Sequence, residues 1–409
     1  MEVGVGAMAT AEGTRRRAEH LSWLGYAVIG LMATAYGAAM PELVRHLHQT
    51  YGQLSVLFAL QSGGNTVAYF YANHLVDRWG TERVLLAGFA LFSAATGLLA
   101  LVATFALWAA LAFIVGVAFA LVDVGGSRLI SDLHRPHQAQ AFNHLNLWFG
   151  VGAVSAPIAV GILNASGLPV ALVFALAAAL SLVGAVGMTT LGELPGEAAE
   201  PGGGLLANLR LFAAAPWLRA LTFLAFLYVA AESGFSAWVA AYVHVQAGLP
   251  DAIASLYPAA YQVGLTVTRI LIGPVLPKLR LERLLLLGGL GAAVASGLAA
   301  AYGQNPWLVV AAAALTGACL SPAFPVILTV AGREAPRREG QAFFFIFTSL
   351  AIAALVVPWA EGQVFGQTPA LAMAMTPLLT LGMGVLAMIL ERATRSGPPS
   401  PGLGTAAAP

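Results

Sequence analysis

Asp77-Arg78-Trp79-Gly80-Thr81-Glu82-Arg83, followed at once by Val84-Leu85-Leu86-Ala87-Gly88, is a short charged turn set between two long apolar runs. About two hundred residues later Glu282-Arg283-Leu284-Leu285-Leu286-Leu287-Gly288 repeats the pattern Glu-Arg-x-Leu-Leu-x-Gly, with Lys278 where Arg78 stood and Arg280 where Gly80 stood. A repeat at that period marks a chain built as two similar halves. Around the turns the 409 residues are 59% hydrophobic and only 9% charged, with a mean hydropathy of +0.81. A soluble globule of this size carries about 25% charged residues, so this chain belongs in lipid.

Apolar runs long enough to cross a ~30 Å hydrocarbon core as helix begin near Leu21, Gln53, Arg83, Phe105, Ala139 and Leu168, and again near Leu218, Ala252, Glu282, Pro306, Gln341 and Pro369. The Gly/Pro-rich stretch from Glu193 to Pro216 separates the two sets as a linker. The expected organisation is an amino-terminal tail over 1–17, a six-helix half over 18–192, a cytoplasmic linker over 193–216, a second half over 217–392 and a disordered tail over 393–409. Arg15, Arg16 and Arg17 precede an apolar run that imitates a signal peptide, but the run is too long and lacks a small-residue cleavage pattern. It reads as a retained first helix.

Basic residues set the orientation. With the amino terminus inside, sixteen of the 19 Lys and Arg fall in inner loops, termini or the linker; only Arg45 lies in an outer loop, and Arg128 and Arg269 lie within or at the end of spans. Both termini are therefore expected in the cytoplasm, in a multi-pass protein of the inner (plasma) membrane. The basic residues are scattered singly, which excludes a phosphate-tracking nucleic-acid surface. The one cysteine, Cys319, sits in an apolar run, so no intrachain disulfide or thiol metal site is expected.

Two six-helix halves, a cytoplasmic linker and a charged turn repeated between spans 2 and 3 and between spans 8 and 9 resemble the major facilitator superfamily. There the turn reads Gly-x-x-x-Asp-Arg-x-Gly-Arg-[Arg/Lys]. Asp77, Arg78, Gly80 and Arg83 match it, whereas Asn73 replaces the leading Gly and Thr81 and Glu82 stand where the basic pair begins. The second copy keeps Gly273, Lys278 and Arg283 but has Pro277 for the Asp. The resemblance implies an all-α membrane protein of twelve transmembrane helices in two pseudo-symmetric halves. It also implies that Asp77, Arg78, Gly80, Arg83, Lys278 and Arg283 form a conformational latch made in one rocking state and broken in the other. Glu82 and Glu282 read as solvated charges.

A finer resemblance, to the fucose permease-like branch of sugar/proton symporters, rests on Leu121-Val122-Asp123-Val124-Gly125-Gly126, on Asn146 to Ala153 with Pro157, on Glu232 with Trp238 and Tyr242, and on Ser321-Pro322-Ala323-Phe324-Pro325. Drug/proton antiporters resemble the chain less: their span 4 commonly carries an Arg where Ala112 stands, and Ala156 precedes Pro157 where they have Gly-Pro. The fucose permeases have a second acidic residue in span 1, which this chain lacks until Glu42.

An ionisable side chain inside a span costs at least ~2.5 kcal/mol, so each needs a partner, a cavity or a task. Asp123 and Glu232 are the expected proton-coupling pair. The rival reading pairs Asp123 with Arg128 and Glu232 with Arg269 as intramembrane ion pairs. Gln61, Asn65, Tyr69 and Asn73 recur every fourth residue in span 2, a polar stripe that cannot face lipid. The stripe lines a cavity or packs between helices, Asn73 being its packing member. Gln61, Asn65 and Tyr69 with Asn143, Asn146, Tyr228, Tyr261 and Gln262 supply the amides, hydroxyls and aromatic faces that a sugar-sized solute requires. Trp238 and Tyr257 are read equally as cavity or interfacial-belt residues, Phe343, Phe344, Phe345 and Phe347 as packing or a hydrophobic gate, and His46, His48, His134 and His137 as solvated loop residues.

The function expected is secondary active symport of a small polar organic solute, a sugar or related metabolite, with protons, by alternating access. The alternative is efflux of drugs or amphipathic compounds by proton antiport. The partners expected are that solute, protons and the bilayer, with no nucleic acid and no cofactor, in a monomer. No Ser/His/Asp or metal-ligand set lies at membrane depth, which argues against an enzyme.

Overall fold

A computed structural model describes the backbone of residues 2–134, 138–191, 205–272, 280–334 and 339–396. Every regular element among them is helical. The first half contains α1 (Glu2–His46), α2 (Tyr51–Leu54), α3 (Val56–Trp79), α4 (Thr81–Leu99), α5 (Phe105–Leu133), α6 (Gln138–Ala165) and α7 (Ala171–Thr189). After α8 (Leu205–Ala214), the second half contains α9 (Pro216–Ala247), α10 (Asp251–Ala254), α11 (Tyr257–Ile272), α12 (Leu281–Ala301), α13 (Pro306–Leu320), α14 (Ala323–Glu334), α15 (Glu339–Phe365) and α16 (Pro369–Ser396).

Among the described residues ten spans, counting α13 and α14 as one, are long and apolar enough to cross a membrane. The two not among them are α3 and α11, the second and eighth spans: α3 carries the polar stripe Gln61, Asn65 and Tyr69, and α11 is described over only 16 residues. They complete the twelve helices because their polar faces turn to the bundle interior rather than to lipid. The tenth span is broken at Ser321-Pro322, where Ser321 Oγ donates to the Leu265 carbonyl of α11 at 2.7 Å. Residues expected as an amino-terminal tail are part of α1, and the expected linker contains α8. Lys278, His137 and most of the carboxyl-terminal tail lie outside the described residues, as does the side chain of Asn73.

Element ends follow local chemistry. Thr50 and Gln53 form a reciprocal capping box on α2, Asn305 caps α13 through the Leu308 N–H at 3.2 Å, and Glu42 accepts the Val170 N–H at 3.2 Å at the start of α7. The carboxylate after Pro41 thus serves a helix amino terminus.

Helix pairs meet through glycines, as expected where lipid offers no hydrophobic drive and close backbone contact must supply attraction. A Cβ at Gly64 would collide with the Phe113 carbonyl, and one at Gly116 with the Gln61 carbonyl, so α3 and α5 touch backbone to backbone. Gly264 and Gly317 do the same between α11 and α13, against Ala314 and Tyr261. The offsets, 264 − 64 = 200 and 317 − 116 = 201, match the repeat of the charged turn.

That turn is made at Gly80, which ends α3 and begins α4 with φ 87° and ψ 154°. This region is essentially reserved for glycine. Gly80→Ala is expected to lower unfolding stability by about 1–3 kcal/mol, measured by thermal or denaturant unfolding in detergent; an unchanged midpoint would contradict a strained turn.

Candidate functional site

In the first half the polar centre is Asp123 on α5. Tyr26 of α1 donates to its Oδ1 and Tyr69 of α3 to its Oδ2, each at 2.6 Å. These lengths belong to hydrogen bonds assisted by a charged acceptor. Gly126, one turn along α5, faces the Tyr26 ring, which a Cβ there would meet at 3.4 Å, an ordinary contact distance. Three helices are therefore pinned to one carboxylate. The Asp123–Arg128 pair does not form: Arg128 bonds Asp132 at 3.3 Å, one turn on. A spacing of five residues does not place two side chains on one face, whereas four does.

In the second half Tyr228, Glu232 and Arg269 come within electrostatic range of one another. No direct ion pair joins Glu232 to Arg269 among the described residues, and Arg269 Nε is buried without a hydrogen-bond partner. Tyr261 is fully buried, packed 5.4 Å from Phe235, with its hydroxyl also unpartnered. The repeat offset relates the two centres. Tyr69 plus 200 is Arg269, and Asp123, seven residues after Gly116, corresponds to Phe324, seven after Gly317. Phe324 stacks on Tyr228 with centroids 6.5 Å apart. The second half thus has an apolar ring where the first has its carboxylate, and carries its acid on α9 instead.

Among the other expected lining groups, Gln61 and Gln262 are buried, and Asn65 Oδ1 is buried without a partner. Asn143 is exposed, and Asn146 spends its amide N–H on the Phe142 carbonyl of its own helix at 2.9 Å. Trp238 and Tyr257 are not interfacial: both are buried, bonding the Pro358 and Pro306 carbonyls at 2.9 and 3.0 Å. Tyr242 likewise donates to the Ala300 carbonyl at 2.6 Å. Phe343 and Phe347 pack edge to face, as do Phe344 and Phe345.

The contacts that close one end of the bundle include several that the sequence did not announce. Arg45 of the first half bonds Asp251 of the second, and His244 Nδ1 lies 3.1 Å from the same carboxylate. Gln363 donates to the Gly52 carbonyl at 2.7 Å and to Ser55 Oγ at 3.0 Å, and Ser62 donates to the Ala354 carbonyl at 3.0 Å. A Cβ at Gly37 would approach the Ser236 carbonyl to 2.7 Å. These are all the hydrogen bonds and ion pairs described between the halves, and all lie away from the end that carries the chain termini. At the terminal end Phe70, Tyr71 and Trp79 of α3 and Ile270 and Leu271 of α11 are exposed.

The two charged turns sit at that end. Asp77 and Arg78 are exposed, with no hydrogen bond or ion pair described for either, while Arg83, also exposed, has a partner. In the second copy Glu282 is not merely solvated: it accepts from Arg333 at 3.1 Å, and Arg283 reaches Glu391 at 3.4 Å. These ties join helices within one half. His134, expected as a solvated residue, lies 3.0 Å from Glu19.

With this geometry in place, comparison with known proteins gives the class. Residues 22–358 match the Major Facilitator Superfamily, and the chain belongs to that superfamily as a multi-pass membrane transporter. Sodium-dependent glucose transporter 1 of Rattus norvegicus is 29% identical over 130 residues, 32% of this chain and 27% of that protein. The chain thus matches just over a quarter of that relative's length. Crystal structures of the nucleoside transporter NupG superpose with a TM-score of 0.74 at 15% identity, covering 94% of this chain and 100% of theirs; a point mutant gives 0.76 at 14%, covering 93% and 99%. A bacterial homolog of the human lysosomal transporter Spinster, inward-facing and unoccupied, gives 0.69 at 17%, covering 92% and 95%. At these identities the structures establish the fold alone.

Tyr26→Phe and Tyr69→Phe each remove one hydrogen bond to a carboxylate, an interaction of about 1.5–3 kcal/mol. Each is expected to slow substrate uptake by roughly tenfold or more, and the double variant by less than the product, because both act on one group. Fully additive effects in a double-mutant cycle would show that the tyrosines do not act through Asp123.

Proposed function

We propose that this transporter moves a small polar organic solute, a sugar or nucleoside-like metabolite, in symport with protons across the inner (plasma) membrane by alternating access. Both termini face the cytoplasm in this reading, and the monomer is the working unit. The observation that carries it is the Asp123 carboxylate held by Tyr26 and Tyr69 from two other helices. A carboxylate kept inside the span by two O–H donors is a proton carrier whose charge state is tied to helix positions. When a proton binds Oδ2, that oxygen changes from acceptor to donor. The Tyr69 hydroxyl must then send its hydrogen elsewhere, and a hydroxyl of the solute is the acceptor available in a cavity.

Asn65 Oδ1, Tyr261 Oη and Arg269 Nε, buried without protein partners, supply an acceptor, a hydroxyl and a charged donor for the same solute. Gln61, Gln262 and Tyr228 complete the lining. Glu232 holds the charge of Arg269 in reserve through Tyr228 and is the second coupling group. That the similar proteins are named as glucose and nucleoside transporters supports a hydroxyl-rich solute. The two charged turns act as the latch: Asp77 and Arg78 are open in this conformation, and they engage when the terminal end closes.

Reconstitution into proteoliposomes with a panel of radiolabelled hexoses and nucleosides tests the assignment. Asp123→Asn is expected to keep solute exchange between equal pH compartments while losing accumulation driven by a pH gradient. Loss of both activities, or retention of both, would remove Asp123 from the coupling role.

A further inference from the structure

Glu361, near the end of α15 and inside an apolar span, is 2% exposed, and its Oε1 has no hydrogen-bond partner. No ion pair to it is described. Its carboxyl group presses on Gly234 of α9, where a Cβ would overlap both oxygens and the carboxyl carbon. In the first half, α1 and α6 meet backbone to backbone through Gly30 and Gly152. At the α9–α15 crossing a carboxyl group occupies the equivalent kind of gap.

The residues on either side of Glu361 belong to the closed end of the bundle. A Cβ on Gly362 would run into Ser55 and the Trp238 ring, Gln363 bonds Gly52 and Ser55, and Trp238 is fixed by the Pro358 carbonyl and stacked on Phe365 at 5.0 Å. Glu361 thus packs on Gly234 of its own half. It stands next in the chain to Gly362 and Gln363, which meet Ser55 and Gly52 of the other half and must part from them for this end to open.

No packed element offers it a counter-charge. α15 packs against α9, α3, α16, α2, α14 and α8. On α9, Glu232 and Tyr228 engage Arg269, Tyr242 bonds Ala300, His244 lies against Asp251, and Arg219 bonds the Phe212 and Ala213 carbonyls. α2 contributes Tyr51, whose ring packs on Trp238 and Phe365. The ionisable residues of α3 (Tyr69, Tyr71, His74, Asp77, Arg78), of α14 (Arg333, Glu334) and of α8 (Arg210) lie toward the other end, as do Glu391 and Arg392 of α16 and Glu339 of α15 itself. Among the described residues no group of three or more His, Cys, Asp or Glu forms a metal cage.

A buried carboxylate with no donor described for it is strongly unfavourable when ionised, whereas its neutral acid is tolerated. We propose that Glu361 is a second proton-binding site, separate from Asp123, which holds the outer gate closed when protonated and releases it when the proton is lost. Opening admits water to the carboxylate and permits ionisation, so the gate and the proton share one equilibrium. The site depends on the alternating-access class of the protein and not on any role of Asp123.

The test uses full-length protein in nanodiscs, with the single native cysteine removed by Cys319→Ala and Ser55→Cys as a buried reporter of the gate. Its rate of reaction with a hydrophilic maleimide is divided by that of the exposed Gln53→Cys, which cancels the chemistry of the thiol itself. The ratio is expected to rise with pH by up to about tenfold per pH unit below the transition, and Glu361→Gln, or Glu361→Ala, is expected to stay protected throughout. A pH-independent ratio, a Glu361 variant that follows the parent curve, or a ratio changed by sodium at fixed pH would overturn the proposal. Infrared spectra supply a readout independent of the gate: a protonated-carboxyl band in the parent protein should be missing from the Glu361 variant, and identical spectra would overturn the assignment.

Discussion

A polar side chain at the depth of the hydrocarbon core must find a partner within the protein, since lipid supplies none. Nearly every feature of this bundle that bears on function follows from that constraint. Asp123 is tolerable because Tyr26 and Tyr69 reach it from two other helices. The same bonds bring α1, α3 and α5 together around one group whose charge can change. The stripe of α3 and the polar residues of α11 are tolerable because both helices line the interior. Asn65 Oδ1, Tyr261 Oη and Arg269 Nε are the exceptions, buried with no protein partner, and in the proposed reading a solute satisfies them.

The two halves share a scaffold and differ in chemistry. Gly64 with Gly116, and Gly264 with Gly317, set the same close contact in each half and give a common register. On that register Tyr69 and Arg269 correspond, while Asp123 corresponds to Phe324. A duplicated frame with unlike side chains gives one half a carboxylate held by phenols and the other a guanidinium beside a glutamate. The closed end is likewise lopsided in charge, with Arg45 of one half set against Asp251 and His244 of the other.

Much of this was legible in the sequence because it rests on periodicity and composition. The repeated turn counted the halves, and Gly80 stood out as a residue matching the repeated motif. The four-residue stripe of α3 and the isolated charges Asp123, Glu232 and Arg269 declared an interior face. What could not be read were contacts between residues far apart in the chain. Tyr26 is one aromatic among many in an apolar run, and only folding brings its hydroxyl to Asp123, 97 positions away. Arg45 and Asp251 look like ordinary loop charges until the halves meet. Glu361 was obscured by its place near the end of a span, where an acid is ordinarily solvated. Trp238 and Tyr257 read equally as belt residues, because burial depends on the neighbours that a periodic pattern does not identify.

The central claim is that solute and proton move together through a bundle organised on Asp123, and a single recording of proton movement tests it most directly. In proteoliposomes loaded with a pH-sensitive dye, with no imposed pH gradient, an inward gradient of the transported solute should acidify the lumen of vesicles containing the wild-type protein. Solute entry with no change in luminal pH would contradict it.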